Sequence, residues 1–85
     1  MNEIIADLMR LITEITYGEV RPDPASTGRD SIRSLGLNSL ATLNFLVTVE
    51  DTFGIEWDDD LPDEVLGSFE LMAGYIAEQR DVQYA

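Results

Sequence analysis

Ser39 is the residue of this 85-residue chain best placed to do chemistry. It stands in the string Leu35-Gly36-Leu37-Asn38-Ser39-Leu40, between an irregular stretch and the most apolar helical run of the sequence. A glycine followed by an Asn-Ser pair marks a turn that ends in a helix start. There the side-chain oxygen of Asn38 or Ser39 accepts a hydrogen bond from an unpaired N–H of the first helical turn. An anion on the Ser39 oxygen meets those amides and the positive end of the helix dipole. The chemistry this allows is a phosphate ester on Ser39. Spacing alone favours the plainer reading, that Ser39 only caps the helix, since Ser and Asn are ordinary residues at that place.

The remaining side chains offer little else. Cysteine is absent, so there is no thiol nucleophile, no disulfide and no Cys-type zinc site. Histidine is absent too, which removes the usual general base near neutral pH and the commonest metal ligand. A hydrolase would have to use carboxylates, for instance Glu14 with Glu50, in a chain too short to build a deep cleft as well as a core. The run Asp58-Asp59-Asp60 suggests calcium at first sight. Counted from Asp58, however, the sixth residue is Asp63 and the twelfth is Phe69, where an EF-hand loop needs Gly and Glu. No metal site is expected.

The formal charge is −12 and it is uneven. Residues 1–49 hold six acids and four arginines, a balance of −2, whereas residues 50–85 hold eleven acids and one arginine, a balance of −10. Such a surface repels nucleic-acid phosphates and attracts partners with Arg/Lys patches. The same acidity also keeps a small protein soluble. Lysine is absent, and nothing in the sequence explains that bias. No apolar run approaches the length of a membrane span. The start Met1-Asn2-Glu3 is acidic where a secretory signal is basic. The expectation is one cytoplasmic domain over residues 1–85, binding neither nucleic acid nor membrane.

The elements that position Ser39 follow from hydrophobic spacing. Ile4, Ile5, Leu8, Leu11, Ile12 and Ile15 form one helical stripe, which predicts a helix over about residues 3–16, capped by Asn2 and ended by Gly18. Residues 18–38 are rich in Gly, Pro and Ser, and read as a long loop pinned by Val20, Ile32, Leu35 and Leu37. From Ser39 to Phe53 the pattern is helical, with Gly54 as terminator. Leu43, Leu46 and Phe53 are its expected core positions, and Leu40 or Val47 is a candidate for the outer face. Ile55 and Trp57 anchor the next loop. Pro62 opens a short helix over about residues 62–66, placed in its first turn. Ser68 caps a last helix over about residues 69–79, with Phe69, Met72, Ala73 and Ile76 as its stripe. Gly74 inside it suggests the close approach of a neighbouring helix, and residues 81–85 are expected to fray. The fold class is all-α: a small bundle of three main helices, one short helix and a long first loop.

With those elements in place, the chain resembles the phosphopantetheine-dependent carrier domains, the acyl carrier proteins and free-standing peptidyl carrier proteins. The resemblance lies in Leu35 to Leu40, in the apolar run to Phe53-Gly54-Ile55-Glu56, and in Phe69 through Ile76. It implies a four-helix carrier-protein bundle whose Ser39 accepts 4'-phosphopantetheine from coenzyme A, with Asn38 and Gly36 around it. It implies a phosphopantetheinyl transferase as partner, and acyl- or aminoacyl-loading and synthase enzymes with basic docking patches. It implies a non-catalytic subunit, since the arm brings the sulfur that holds cargo as a thioester, and it implies a monomer. Leu40, Val47, Glu50, Asp51 and Ile55 match positions that meet partner enzymes.

Two residues depart from the family pattern. Asn38 stands where aspartate is usual before the serine, and Asn44 where fatty-acid carriers often have glutamate. A nearly uncharged first half of the recognition helix favours polyketide or non-ribosomal peptide type secondary metabolism over fatty-acid synthesis. The rival expectation is an unmodified acidic helical adaptor that binds basic proteins.

Overall fold

The computed structural model describes the backbone of residues 3–84 and the side chains of residues 3–80. The described residues form four α-helices: α1 (Glu3–Ile15), α2 (Ser39–Phe53), α3 (Asp63–Leu66) and α4 (Phe69–Tyr84). A single 3-10 turn, Arg33–Leu35, lies in the long first loop. The Asn2 cap falls outside the described residues.

The core is one cluster. Ile5, Leu8, Met9, Leu11 and Ile12 of α1 meet Phe45 and Val49 of α2 and Phe69, Met72, Ala73 and Ile76 of α4. Each fully buried large side chain stabilises the fold by roughly 1.5–3 kcal/mol relative to exposure. In α1 the apolar positions recur on a single face, so its buried side follows from spacing alone. In α2 apolar residues run almost all round the helix. Phe45 and Val49, one turn apart, turn inward, and Leu46 and Phe53 are half-buried beside them. Leu43, expected in the core, is instead 59% exposed, because it lies on the opposite flank from that ridge.

The helix ends explain several local departures. At the end of α1, Gly18 N–H donates to the Thr13 carbonyl (2.8 Å) and Tyr17 N–H to the Glu14 carbonyl (3.2 Å). This is a Schellman closure, and both Tyr17 (φ 55) and the expected terminator Gly18 (φ 81) have positive φ. For a bulky side chain that conformation costs about 1–2 kcal/mol. The α2 helix also ends on a left-handed residue, Gly54 (φ 66), and there the Gly54 and Ile55 N–H groups both donate to the Glu50 carbonyl, at 2.8 and 3.2 Å. The residue after a left-handed closure packs back on the helix, and Ile55 is buried for that reason. Pro62 is the cap of α3 rather than its first helical residue, with an extended ψ of 142. The α4 helix continues to Tyr84, past the expected end near 79, since residues 80–84 contain no Gly or Pro to stop it. Gly74 faces open space, and among the described residues no neighbouring helix approaches it.

The long loop is pinned by both apolar and polar contacts. Ile32 is buried, and Val20, Leu35 and Leu37 pack against the core. Ile32 and Arg33 N–H groups donate to the Gly67 carbonyl (2.9 and 3.3 Å). At the start of α4, Phe69 N–H donates to Ser31 Oγ (3.1 Å) and Glu70 N–H to the Thr27 carbonyl (3.0 Å). Leu71 N–H donates to Ser68 Oγ at 3.3 Å, as the expected cap requires. The first-turn donors of α4 are therefore all taken.

Candidate functional site

The start of α2 contrasts with the start of α4. Asn38 is the cap: its Oδ1 accepts the N–H of Ala41 at 2.7 Å, and its carbonyl accepts the N–H of Thr42 at 2.9 Å. Ser39 is the first helical residue. It is exposed, and its hydroxyl has no hydrogen-bond partner among the described residues. Nor do the N–H groups of Ser39 and Leu40, so two of the orphan donors of the helix stay open beside that hydroxyl. Asn38, not Ser39, does the capping, which leaves Ser39 free of any structural duty at the helix end.

The approach to this helix start is set by Gly36. It takes φ 71 and donates its N–H to the Arg33 carbonyl at 3.2 Å, closing the 3-10 turn. A side chain at that φ is strained even though the space around it is open. Gly36 therefore shapes the chain leading into Asn38.

The outer face of α2 presents Leu40 (77% exposed), Leu43 and Val47. This apolar patch is continuous with Ser39, and Leu43 is a member that sequence spacing missed. Asp51 is exposed at the far end. Glu50 is half-buried, and its Oε2 accepts the backbone N–H of Trp57 at 3.1 Å. It serves the fold with one oxygen. Ile55, matched to a partner-facing position, is 3% exposed and belongs to the core. Glu14 forms a long ion pair with Arg10 (3.9 Å), so the carboxylates proposed for a hydrolase are each engaged elsewhere. Asp58 accepts the N–H of Asp60 at 2.9 Å, a turn contact. Among the described residues no carboxylate from Glu50 to Glu64 forms an ion pair, and the acidic half of the chain is free to attract cations.

The structure is thus a small helical bundle with an exposed serine at an open helix start. The chain matches the family described as "phosphopantetheine attachment site" over residues 3–76, and it belongs to that family. Members carry 4'-phosphopantetheine covalently on a serine and are generally non-catalytic carriers that meet a phosphopantetheinyl transferase and synthase partners. Neither the curated proteins nor the solved structures give a match to the chain. The α2 start fits the group: an unpartnered hydroxyl and two open amides suit a phosphodiester. Among the described residues no helix is long and apolar enough to cross a membrane.

Proposed function

We propose that Ser39 is the attachment residue and that the chain is a non-catalytic carrier of acyl or aminoacyl intermediates, held as thioesters on the arm. The observation that carries this reading is the open start of α2, in a chain whose family match spans Ser39. Loading joins Ser39 Oγ to the phosphorus at the end of the arm as the pyrophosphate P–O bond of coenzyme A breaks; adenosine 3',5'-bisphosphate leaves, and the hydroxyl proton of Ser39 passes to a base of the transferase or to water. The amides of Ser39 and Leu40 and the dipole of the 15-residue α2 favour the negative charge that results. When bound, the group supplies a terminal thiol, which this cysteine-free chain lacks.

The partner enzymes meet the outer face of α2. Leu40, Leu43 and Val47 supply apolar contact beside Ser39. Asp51 and the remaining oxygen of Glu50 meet arginines or lysines further along. The neutral first half of that face supports a place in polyketide or non-ribosomal peptide type metabolism. The test is the intact mass after incubation with coenzyme A, Mg2+ and a broad-specificity phosphopantetheinyl transferase. Wild type is expected to gain one phosphopantetheine and Ser39→Ala none. No gain with transferases of differing preference would overturn the reading.

A further inference from the structure

The four residues of α3 make barely one turn, and a helix that short cannot stand without support. Leu66 packs it on the core. Its C-terminal end is tied to the long first loop: the Gly67 carbonyl accepts the N–H of Ile32 at 2.9 Å and that of Arg33 at 3.3 Å. Ile32 is buried, which is reason enough for its place. Arg33 is exposed, yet three contacts meet on it.

The Arg33 N–H faces Gly67. The Arg33 carbonyl faces the other way and accepts the Gly36 N–H at 3.2 Å, closing the turn that leads through Leu37 into Asn38. The guanidinium lies over Gly67, where an added Cβ would stand 3.4 Å from its Nε and Nη2 and 3.6 Å from its Cζ. A side chain larger than a methyl at residue 67 would take that seat. The ion pair of Arg33 with Asp30 is long, at 3.7 Å, and exposed on both sides, and such a pair contributes little. The seat on Gly67 holds the guanidinium more than that charge does.

We infer that Arg33 is a positioning residue for loading, a clamp that fastens the segment entering Asn38 and Ser39 to the α3–α4 junction. The inference rests on Ser39 as the attachment residue. The segment is otherwise sparingly held. The N–H groups of Ser39 and Leu40 have no partner among the described residues, and between Gly36 and α2 the packing contact is that of Leu37. Transfer to a hydroxyl depends on its orientation, so a small displacement slows the reaction without weakening the docking that precedes it. Arg33 lies in the first loop, and its loss leaves Leu40, Leu43 and Val47 on the outer face of α2 in place.

The test reads amide hydrogen exchange by NMR in the unloaded chain, and transferase kinetics with coenzyme A and Mg2+ over a range of carrier concentrations. In Arg33→Ala the Gly36 amide is expected to exchange roughly three- to tenfold faster, the worth of one hydrogen bond, while the core amides of Val49 and Ile76 keep their rates. The kcat of loading is expected to fall severalfold with KM unchanged. Arg33→Lys keeps the charge and the stem but not the planar group, and is expected to behave as Arg33→Ala. Gly67→Leu fills the seat and is expected to do the same with Arg33 intact. Unchanged Gly36 exchange in Arg33→Ala, a change in KM alone, recovery in Arg33→Lys, or equal acceleration at Val49 and Ile76 overturns the clamp. A wild type that gains no mass overturns Ser39 instead, and the exchange at Gly36 still decides whether Arg33 holds the turn.

Discussion

Asn38 Oδ1 accepts the Ala41 N–H at 2.7 Å, and the neighbouring Ser39 hydroxyl has no such bond among the described residues. Structural and chemical duties at the helix start are thus divided between adjacent residues. Asn38→Ala is expected to cost about 0.5–2 kcal/mol of stability, the usual loss of a helix cap. For a domain of this size each kcal/mol lowers the melting temperature by roughly 4–8 °C, which thermal unfolding by circular dichroism resolves. Asn38→Asp retains the acceptor and is expected to match or exceed wild type, since a carboxylate suits the helix N-terminus. Ser39→Ala is expected to stay within about 0.5 kcal/mol of wild type, as a surface change that removes no contact.

The α2–α3 loop hangs on Trp57. Its indole N–H donates to the Leu46 carbonyl (2.9 Å), its backbone N–H to Glu50 Oε2 (3.1 Å), and its ring stacks on Tyr75 at 5.5 Å and 18°. Tyr75 in turn donates its hydroxyl proton to the Glu56 carbonyl at 2.9 Å. Trp57→Phe keeps the stack and loses the indole bond, for an expected cost of about 0.5–1.5 kcal/mol. Glu50→Gln keeps an acceptor for the loop and removes the charge. It is expected to leave the urea midpoint nearly unchanged, whereas Glu50→Ala lowers it by leaving the half-buried Trp57 amide unpaired.

The legible part of the fold was the part where local spacing and tertiary packing agree. Residues such as Leu8 and Ile12 lie on a stripe with polar neighbours on both sides, so only one face of α1 can go inside. The start of α2 was equally plain, because Asn38 does at a helix start what its side chain is suited to do. The buried face of α2 was not plain. Leu40, Leu43, Phe45, Leu46, Val47 and Val49 leave almost no polar side, and only packing against α1 selects Phe45 and Val49 over Leu43. Ile55 divides the two readings: the sequence pattern makes it a loop anchor, which its burial behind the Gly54 closure matches, whereas the family resemblance assigns it a partner-facing position. Gly18 is legible as the terminator of α1, whereas the left-handed Tyr17 beside it is not, because no propensity marks tyrosine for that conformation.

The exposure of Leu43 separates binding from stability on one helix. Leu43→Ala is expected to change stability by less than about 0.5 kcal/mol, whereas Phe45→Ala, two residues on, costs roughly 3–5 kcal/mol through the cavity it leaves. If the outer face of α2 is the docking surface, Leu43→Ala and Leu40→Ala slow phosphopantetheinyl transfer at sub-saturating carrier while the melting curve is unmoved. Wild-type transfer rates from both variants would show that partners approach from another side.

Gly74 supplies a prediction that depends only on backbone entropy. It lies inside α4, and a Cβ built there meets no atom within 4 Å. Glycine in a helix interior is less favourable than alanine by roughly 0.5–1 kcal/mol, because it loses more freedom on folding. Gly74→Ala is therefore expected to stabilise the protein by about that amount and raise the melting temperature by several degrees. The alternative is that the gap above Gly74 is kept open for a partner that packs on α4. In that case Gly74→Ala would still stabilise the free chain, but it would weaken a partner complex. Measuring both the melting temperature and the transferase rate of the variant distinguishes an idle glycine from a used one.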